Sequence, residues 1–258
     1  MTISGGDIVA WVGTLLWPLF RIGAVVMTAP VFGAQTVPVR VRLVLALALT
    51  VLTVPLLPPM PKVEMFSADM FLIIAQQVLI GLMMGFAVQL VFSAVITGGQ
   101  VIAMQMALGF SLMVDPQNGN QVPVVSQLYV IMVILVYLAM NGHLILIDVM
   151  VQSFRSVPIA PSGIVPDDIW QLASWGTQLF AGAVGIALPA IASLLVVNLA
   201  FGVMTRAAPQ LNIFAIGFPL TMMLGFGVIF VTLPSVAPQS LSLFDQIHDL
   251  IRGFGTGG

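Results

Sequence analysis

Residues 98–127 read GGQVIAMQMALGFSLMVDPQNGNQVPVVSQ and separate two long apolar blocks. The stretch is too polar and too broken for a lipid-facing helix. Gly98-Gly99 is expected to interrupt the preceding helical pattern, Asp115-Pro116 and Asn118-Gly119 are turn signals, and Pro123 follows closely. Irregular backbone at membrane depth is tolerated only where protein buries it or where it lines a watery cavity. The segment therefore reads either as a pore-lining or gating element or as a re-entrant loop packed on neighbouring helices. Its side chains suit a soft seal. Met104, Met106 and Met113 are flexible and polarisable, and Phe110 is a bulky plug between Gly109 and Ser111. Gln100, Gln105, Gln117, Asn118, Asn120 and Gln121 add polarity without charge.

Working outward, the whole chain of 258 residues is 60% hydrophobic and only 6% charged, with a mean hydropathy of +1.14. Soluble domains carry about a quarter charged residues, so this is an integral membrane protein or a subunit buried in one. Seven basic and nine acidic residues give a net charge of −2, with no basic stripe for nucleic acid. The absence of cysteine excludes disulfides, thiolate nucleophiles and iron–sulfur clusters, and two histidines about a hundred positions apart make no metal site. No cofactor is implied. The opening MTISGGDIVAWVG lacks the basic region of a cleaved signal peptide, so the first apolar run is expected to be retained.

That run, residues 8–29, is long enough to span but holds Pro18, a kink, and Arg21, which must face protein or water or snorkel to the interface. A loop over 30–42 with Pro38, Arg40 and Arg42 precedes the run 43–57, which a cluster of prolines ends. Ser67 opens a third helix with Asp69 in its first turn, expected to continue to about Thr97, about 45 Å and longer than a hydrocarbon core. Gly81 and Gly85 in it have the GxxxG spacing, best explained by close packing inside the chain. The fourth run, 124–154, has a break at Asn141-Gly142. His143 and Asp148, five positions apart, do not share a face, so a proton relay through them is disfavoured and His143 is expected to be hydrogen-bonded at the break.

A proline-rich linker, 157–168, ends in Asp167-Asp168 at the start of a fifth run, 169–205, which Pro189 makes either one bent helix or two. Arg206 to Pro209 breaks it. A sixth run covers 211–233 with Pro219, Gly225 and Gly227 inside, and a short amphipathic helix is expected over 241–252. If six segments span, the basic residues divide evenly between the two sides and orientation does not follow. Overlong, kinked, glycine-rich helices suit a subunit whose apolar surface meets sister subunits.

RAAPQLNIFAIGFPLT from Arg206 resembles the best-marked motif of the FliR family, the flagellar export-gate subunit, called the T subunit in virulence type III secretion. NGHL at Asn141, Pro158-Ile159, Leu188-Pro189, NLAFG at Asn198 and the Asp115-Pro116 turn fall in the family's order across nearly the whole chain. The resemblance implies an all-α integral membrane subunit of kinked helices and hairpins, in a pseudo-helical gate with FliP-like and FliQ-like subunits and a FlhB-like switch protein. It implies a P-like part over 1–165, holding the plug segment 98–127, and a Q-like hairpin part over 166–258. It further implies a plug and gasket of Met104, Met106, Phe110, Met113, Gln117 and Asn118. Structural or partner contacts fall to Arg21, Gly81, Gly85, Asn141, His143, Arg206, Pro209, Asn212, Gly217 and Pro219. The expected place is the bacterial inner membrane at the flagellar basal body, and the cargo unfolded export substrates. The rival class is a proton-coupled secondary transporter using Arg21, His143, Asp148 and Arg206. An enzyme is not expected: there is no HExxH or GxSxG.

Overall fold

A chain this apolar satisfies its backbone internally, and it does so almost wholly as helix. The computed structural model describes residues 5–61, 63, 67–108, 112–114, 121–207 and 213–255. Its α-helices are α1 Gly5–Thr28, α2 Val39–Thr53, α3 Ala68–Gln105, α4 Val124–Ala139, α5 Gly142–Ser156, α6 Pro166–Ser174, α7 Gly176–Ala207 and α8 Ile213–Gly253. Between α3 and α4 lie two three-residue strands, β1 Leu112–Val114 and β2 Gln121–Pro123, paired antiparallel. The all-α membrane class that the resemblance implies holds. Four helical stretches are long and apolar enough to cross a membrane, and α4 with α5, bent by 66°, would make a fifth.

Several boundaries follow from local chemistry. The Ser67 hydroxyl accepts the Met70 N–H at 3.3 Å, and Asp69 occupies the first turn of α3. The break at Asn141-Gly142 is real, with Asn141 at φ +59° between α4 and α5. The fifth run divides into α6 and α7 at Trp175 and not at Pro189, which lies inside α7.

Three expectations are corrected. Helix α2 starts at Val39, so Arg40 and Arg42 lie in its first turn rather than in a loop; the Arg42 guanidinium donates to the carbonyls of Val37 and Ala34 at 3.0 and 2.8 Å. Helix α3 runs unbroken through Gly98-Gly99, because both glycines are contact points for other helices. Helix α8 is continuous over 41 residues through Pro219, Pro234 and Pro238, joining the sixth run to the amphipathic end. Each proline removes one N–H bond, whereas ending the helix in apolar surroundings would strand four carbonyls. Hydroxyls of Thr232, Ser235 and Ser240 add bonds to carbonyls of the preceding turn at 2.7–2.9 Å.

The described residues form two compact units, each assembled from separated stretches. One comprises 1–90, 141–176 and 245–258. There α1 and α3 meet at small residues: a β-carbon on Gly81 would strike the Arg21 carbonyl and the Ala24 Cβ, and one on Gly85 would strike Thr28. Ile22 and Val25 of α1 and Ile73, Ile80 and Met84 of α3 are buried. Helix α2 buries only Ala46, Thr50 and Thr53. The buried Asp168 carboxylate accepts the N–H groups of Val165 and Gly255, each at 3.2 Å, and so clasps the end of the chain to the start of α6.

The other unit comprises 91–140 and 177–244. Its centre is an aromatic trio, Phe92 of α3, Tyr137 of α4 and Phe244 of α8, with ring centroids 4.5–6.0 Å apart. Gly182 of α7 receives the Leu243 side chain.

Candidate functional site

The segment joining α3 to α4 is anchored at both ends in the second unit. Three glycines make that anchoring possible, because each leaves a hollow that a neighbour fills. A β-carbon on Gly98 would lie 3.0 Å from the Ala183 carbonyl of α7, and one on Gly99 would lie 2.6 Å from Cα of Ser126 in α4. The Ser126 hydroxyl donates to the Ile96 carbonyl at 3.1 Å. A β-carbon on Gly225 of α8 would lie 2.6 Å from Cγ of Met106, which is fully buried.

Helix α3 then ends in a Schellman arrangement: Leu108 N–H donates to the Ala103 carbonyl at 2.8 Å and Ala107 N–H to Met104 at 3.1 Å. Its left-handed residue, at φ +59°, is Ala107 where glycine is usual, a strain of about 1 kcal/mol. The strands follow, with Leu112 opposite Pro123, Met113 opposite Val122 and Val114 opposite Gln121. Pro123 ends the pair and caps α4. Just inside α4, Gln127 is buried and its Oε1 has no partner among the described residues.

The structure separates the expected gasket residues. Met104 is 70% exposed and Met106 wholly buried, so the two methionines face opposite ways and Met106 packs the core. Two positions on a helix are about 200° apart, which is the reason. Met113 lies in β1; Phe110, Gln117, Asn118 and the Asp115-Pro116 turn lie outside the described residues.

The expected contact residues are more scattered. Arg21 is fully buried and neither snorkels nor faces solvent. Its Nε donates to Gln77 Oε1 at 2.9 Å, Nη1 to the Ser153 carbonyl and hydroxyl at 2.8 and 3.0 Å, and Nη2 to the Val157 carbonyl at 2.8 Å. The guanidinium carbon lies 4.1 Å over the Phe154 ring. It therefore caps the carbonyl end of α5, where a cation complements the helix dipole. Asn141 is exposed; His143 is half-buried, and its Nδ1 has no described partner instead of the expected hydrogen bond. Arg206 is exposed in the last turn of α7, Gly217 is buried and Pro219 exposed in α8, and Pro209 and Asn212 lie outside the described residues.

Proton-relay chemistry finds no support in this arrangement. Asp148 accepts from Gln152 at 2.7 Å, and the one ion pair among the described residues is Arg252 with Asp249, 3.0 Å apart. None of Arg21, His143, Asp148 and Arg206 is paired with another. No group of three metal-ligating side chains occurs among the described residues. Sequence reasoning missed Gly225 as the seat of Met106, Gln77 and Ser153 as the acceptors of Arg21, and the Asp168 clasp; only Asp168 carried a signal, as an acid opening a helix.

Residues 12–247 match the family described as bacterial export proteins, family 1. The flagellar biosynthetic protein FliR of Escherichia coli K12 is 38% identical over 97% of this chain and 96% of its own length. Its namesake in Pectobacterium carotovorum is 37% identical over the same shares, and that of Bacillus subtilis 30% identical over 92% of this chain and 94% of the relative.

Proposed function

Because the chain belongs to the bacterial export proteins, family 1, we propose that it is one subunit of the flagellar type III export gate, a channel for unfolded flagellar proteins. Its partners on this reading are FliP-like and FliQ-like subunits and a FlhB-like switch protein, in the bacterial inner membrane at the flagellar basal body. Residues 1–165 act as the P-like part and 166–258 as the Q-like part. The chain carries out no chemistry; the driving force for export comes from outside it.

The observation that carries the reading is the way the apolar surface is distributed. Helix α3 is largely buried by its own chain, while α2, α7 and α8 turn most of their apolar residues outward. Such faces need covering, and exposed Ser193, Asn198 and Gly202 on α7 suit a neighbouring helix better than acyl chains. In the stretch that joins α3 to α4 the polar side chains are mainly the amides Gln117, Asn118, Asn120 and Gln121, with Asp115 the one ionisable residue. A closed gate must block ions and still admit varied polypeptides, and a flexible methionine such as exposed Met104 can re-pack around any side chain where a rigid polar filter could not.

The test replaces residues 104–121 by a flexible polar linker of equal length in gates assembled with the FliP-like and FliQ-like subunits. Ion leakage is the expected result. Conductance unchanged from that of the intact gate, at equal subunit incorporation, refutes the plug.

A further inference from the structure

Beyond a place in the gate, we propose that α2 is a phospholipid-binding face, with acyl chains along its aliphatic side and the Arg40 guanidinium on the phosphate of an anionic headgroup. Helix α2 turns only a narrow stripe towards its own chain. Ala46, Thr50 and Thr53 are buried there, and the two threonine hydroxyls donate to the carbonyls of Ala46 and Thr50 at 2.7 and 3.2 Å. Every exposed side chain from 41 to 56 is aliphatic or proline, and Val44, Val51 and Leu52 are 62–69% exposed.

A helix of another subunit packs on small residues and bonds to hydroxyls or amides. Exposed Asn198 and Gly202 supply these on α7, where a β-carbon at 202 would meet no atom of this chain within 4 Å. The exposed face of α2 offers none of them apart from Ala48. Acyl chains need only apolar surface, and the stretch suits them in length: residues 41–56 rise about 25 Å against about 30 Å of hydrocarbon, a mismatch that a snorkelling arginine makes up. The polar boundary is sharp. Arg42 has its guanidinium taken up by the carbonyls of Val37 and Ala34, whereas Arg40 is exposed and makes no hydrogen bond or ion pair among the described residues. Arg40 also stands at the N-terminal end of α2, whose first turn holds no acidic residue, so helix dipole and guanidinium present positive charge together. A phospholipid matches both halves of this surface, tails against the aliphatic face and phosphate against the cation.

The chain has no cysteine, so Val44→Cys, Leu47→Cys and Val51→Cys each take a single bimane label. Gates assembled with cysteine-free FliP-like and FliQ-like subunits are reconstituted into vesicles of brominated phosphatidylcholine or brominated phosphatidylglycerol, and quenching reports lipid touching the label. Quenching is expected at all three positions, with phosphatidylglycerol favoured about fivefold over phosphatidylcholine at 44, one turn from Arg40. Arg40→Gln should bring that preference down to about one, and Arg40→Lys should keep it, because net charge selects an anionic over a zwitterionic headgroup. Labels that no brominated lipid quenches in assembled gates overturn the lipid face. If those labels are quenched in the full chain alone, another subunit covers α2 and the gate reading stands while the lipid proposal falls. A preference that is absent, or that Arg40→Gln leaves unchanged, overturns the headgroup site.

Discussion

Replacing Arg21 by methionine removes a buried cation whose partners are all neutral, and the loss can be worked from its contacts. Four hydrogen bonds disappear, two to backbone carbonyls, one to Gln77 and one to the Ser153 hydroxyl. The Ser153 carbonyl keeps the N–H of Val157 at 2.9 Å, and its hydroxyl keeps the Met150 carbonyl as acceptor at 2.7 Å. Gln77 Oε1 and the Val157 carbonyl are left without a donor, at ~1–3 kcal/mol each. Losing the contact over Phe154 adds ~1–2 kcal/mol. Against this, a buried guanidinium carries a desolvation penalty of several kcal/mol that the apolar variant avoids. The balance is a destabilisation of ~3 kcal/mol, and for a chain of this size that lowers the melting temperature by ~6–12 °C. Arg21→Lys should recover less than half of it, since one ammonium cannot span Gln77, Ser153 and Val157 in the way a planar fork does. Thermal unfolding of the detergent-solubilised assembled complex, read as loss of this subunit from the gate, measures both. A methionine variant within 2 °C of the original would refute the account, because the orphaned acceptors would then have found other donors at no cost.

Two further substitutions probe the packing of the same unit. Gly85→Val drives a branched side chain into Thr28 of α1, where backbone must move, and should destabilise by ~3 kcal/mol or more; the level of chain in membranes reports it, and accumulation equal to that of the original excludes the contact. Asp168→Ala frees the N–H groups of Val165 and Gly255 and should cost ~1–3 kcal/mol, seen as faster amide exchange at Gly255 with α3 unaffected; unchanged exchange there would remove the clasp.

How much of this was legible in the sequence depends on whether the determinant is local. Ser67 with Asp69, the Asn141-Gly142 break and the apolar runs themselves act within a few residues, and reading them placed most of the helices. Gly98-Gly99 was ambiguous in principle. A glycine pair weakens a helix or lets another backbone approach, and only Ala183 and Ser126, distant in the chain, decide between the two. Arg21 announced that it needed partners, but Gln77 and Val157 lie 56 and 136 positions away. Met104 and Met106 are a different case: treating both as gasket ignored that two positions on a helix point to nearly opposite sides. The continuity of α8 through Pro219, Pro234 and Pro238 was not legible, because a proline's penalty is set for helices that water can rescue when they end.

The two anchor points that emerge use opposite physics, and the difference bears on function. Arg21 joins α1, α3 and α5 through directional, charge-assisted bonds in an environment without water, so parting them strands several polar groups at once. Met106 over Gly225 joins α3 to α8 through contacts worth only ~0.1–0.2 kcal/mol per atom pair, which can be given up one by one. The first kind of joint fails all at once and the second by degrees. A methionine in a glycine hollow can therefore be repacked where a polar cross-link cannot. Met106 lies two residues after the exposed Met104, and a small change in side-chain volume at 106 or 225 should loosen the end of α3 without dismantling the fold.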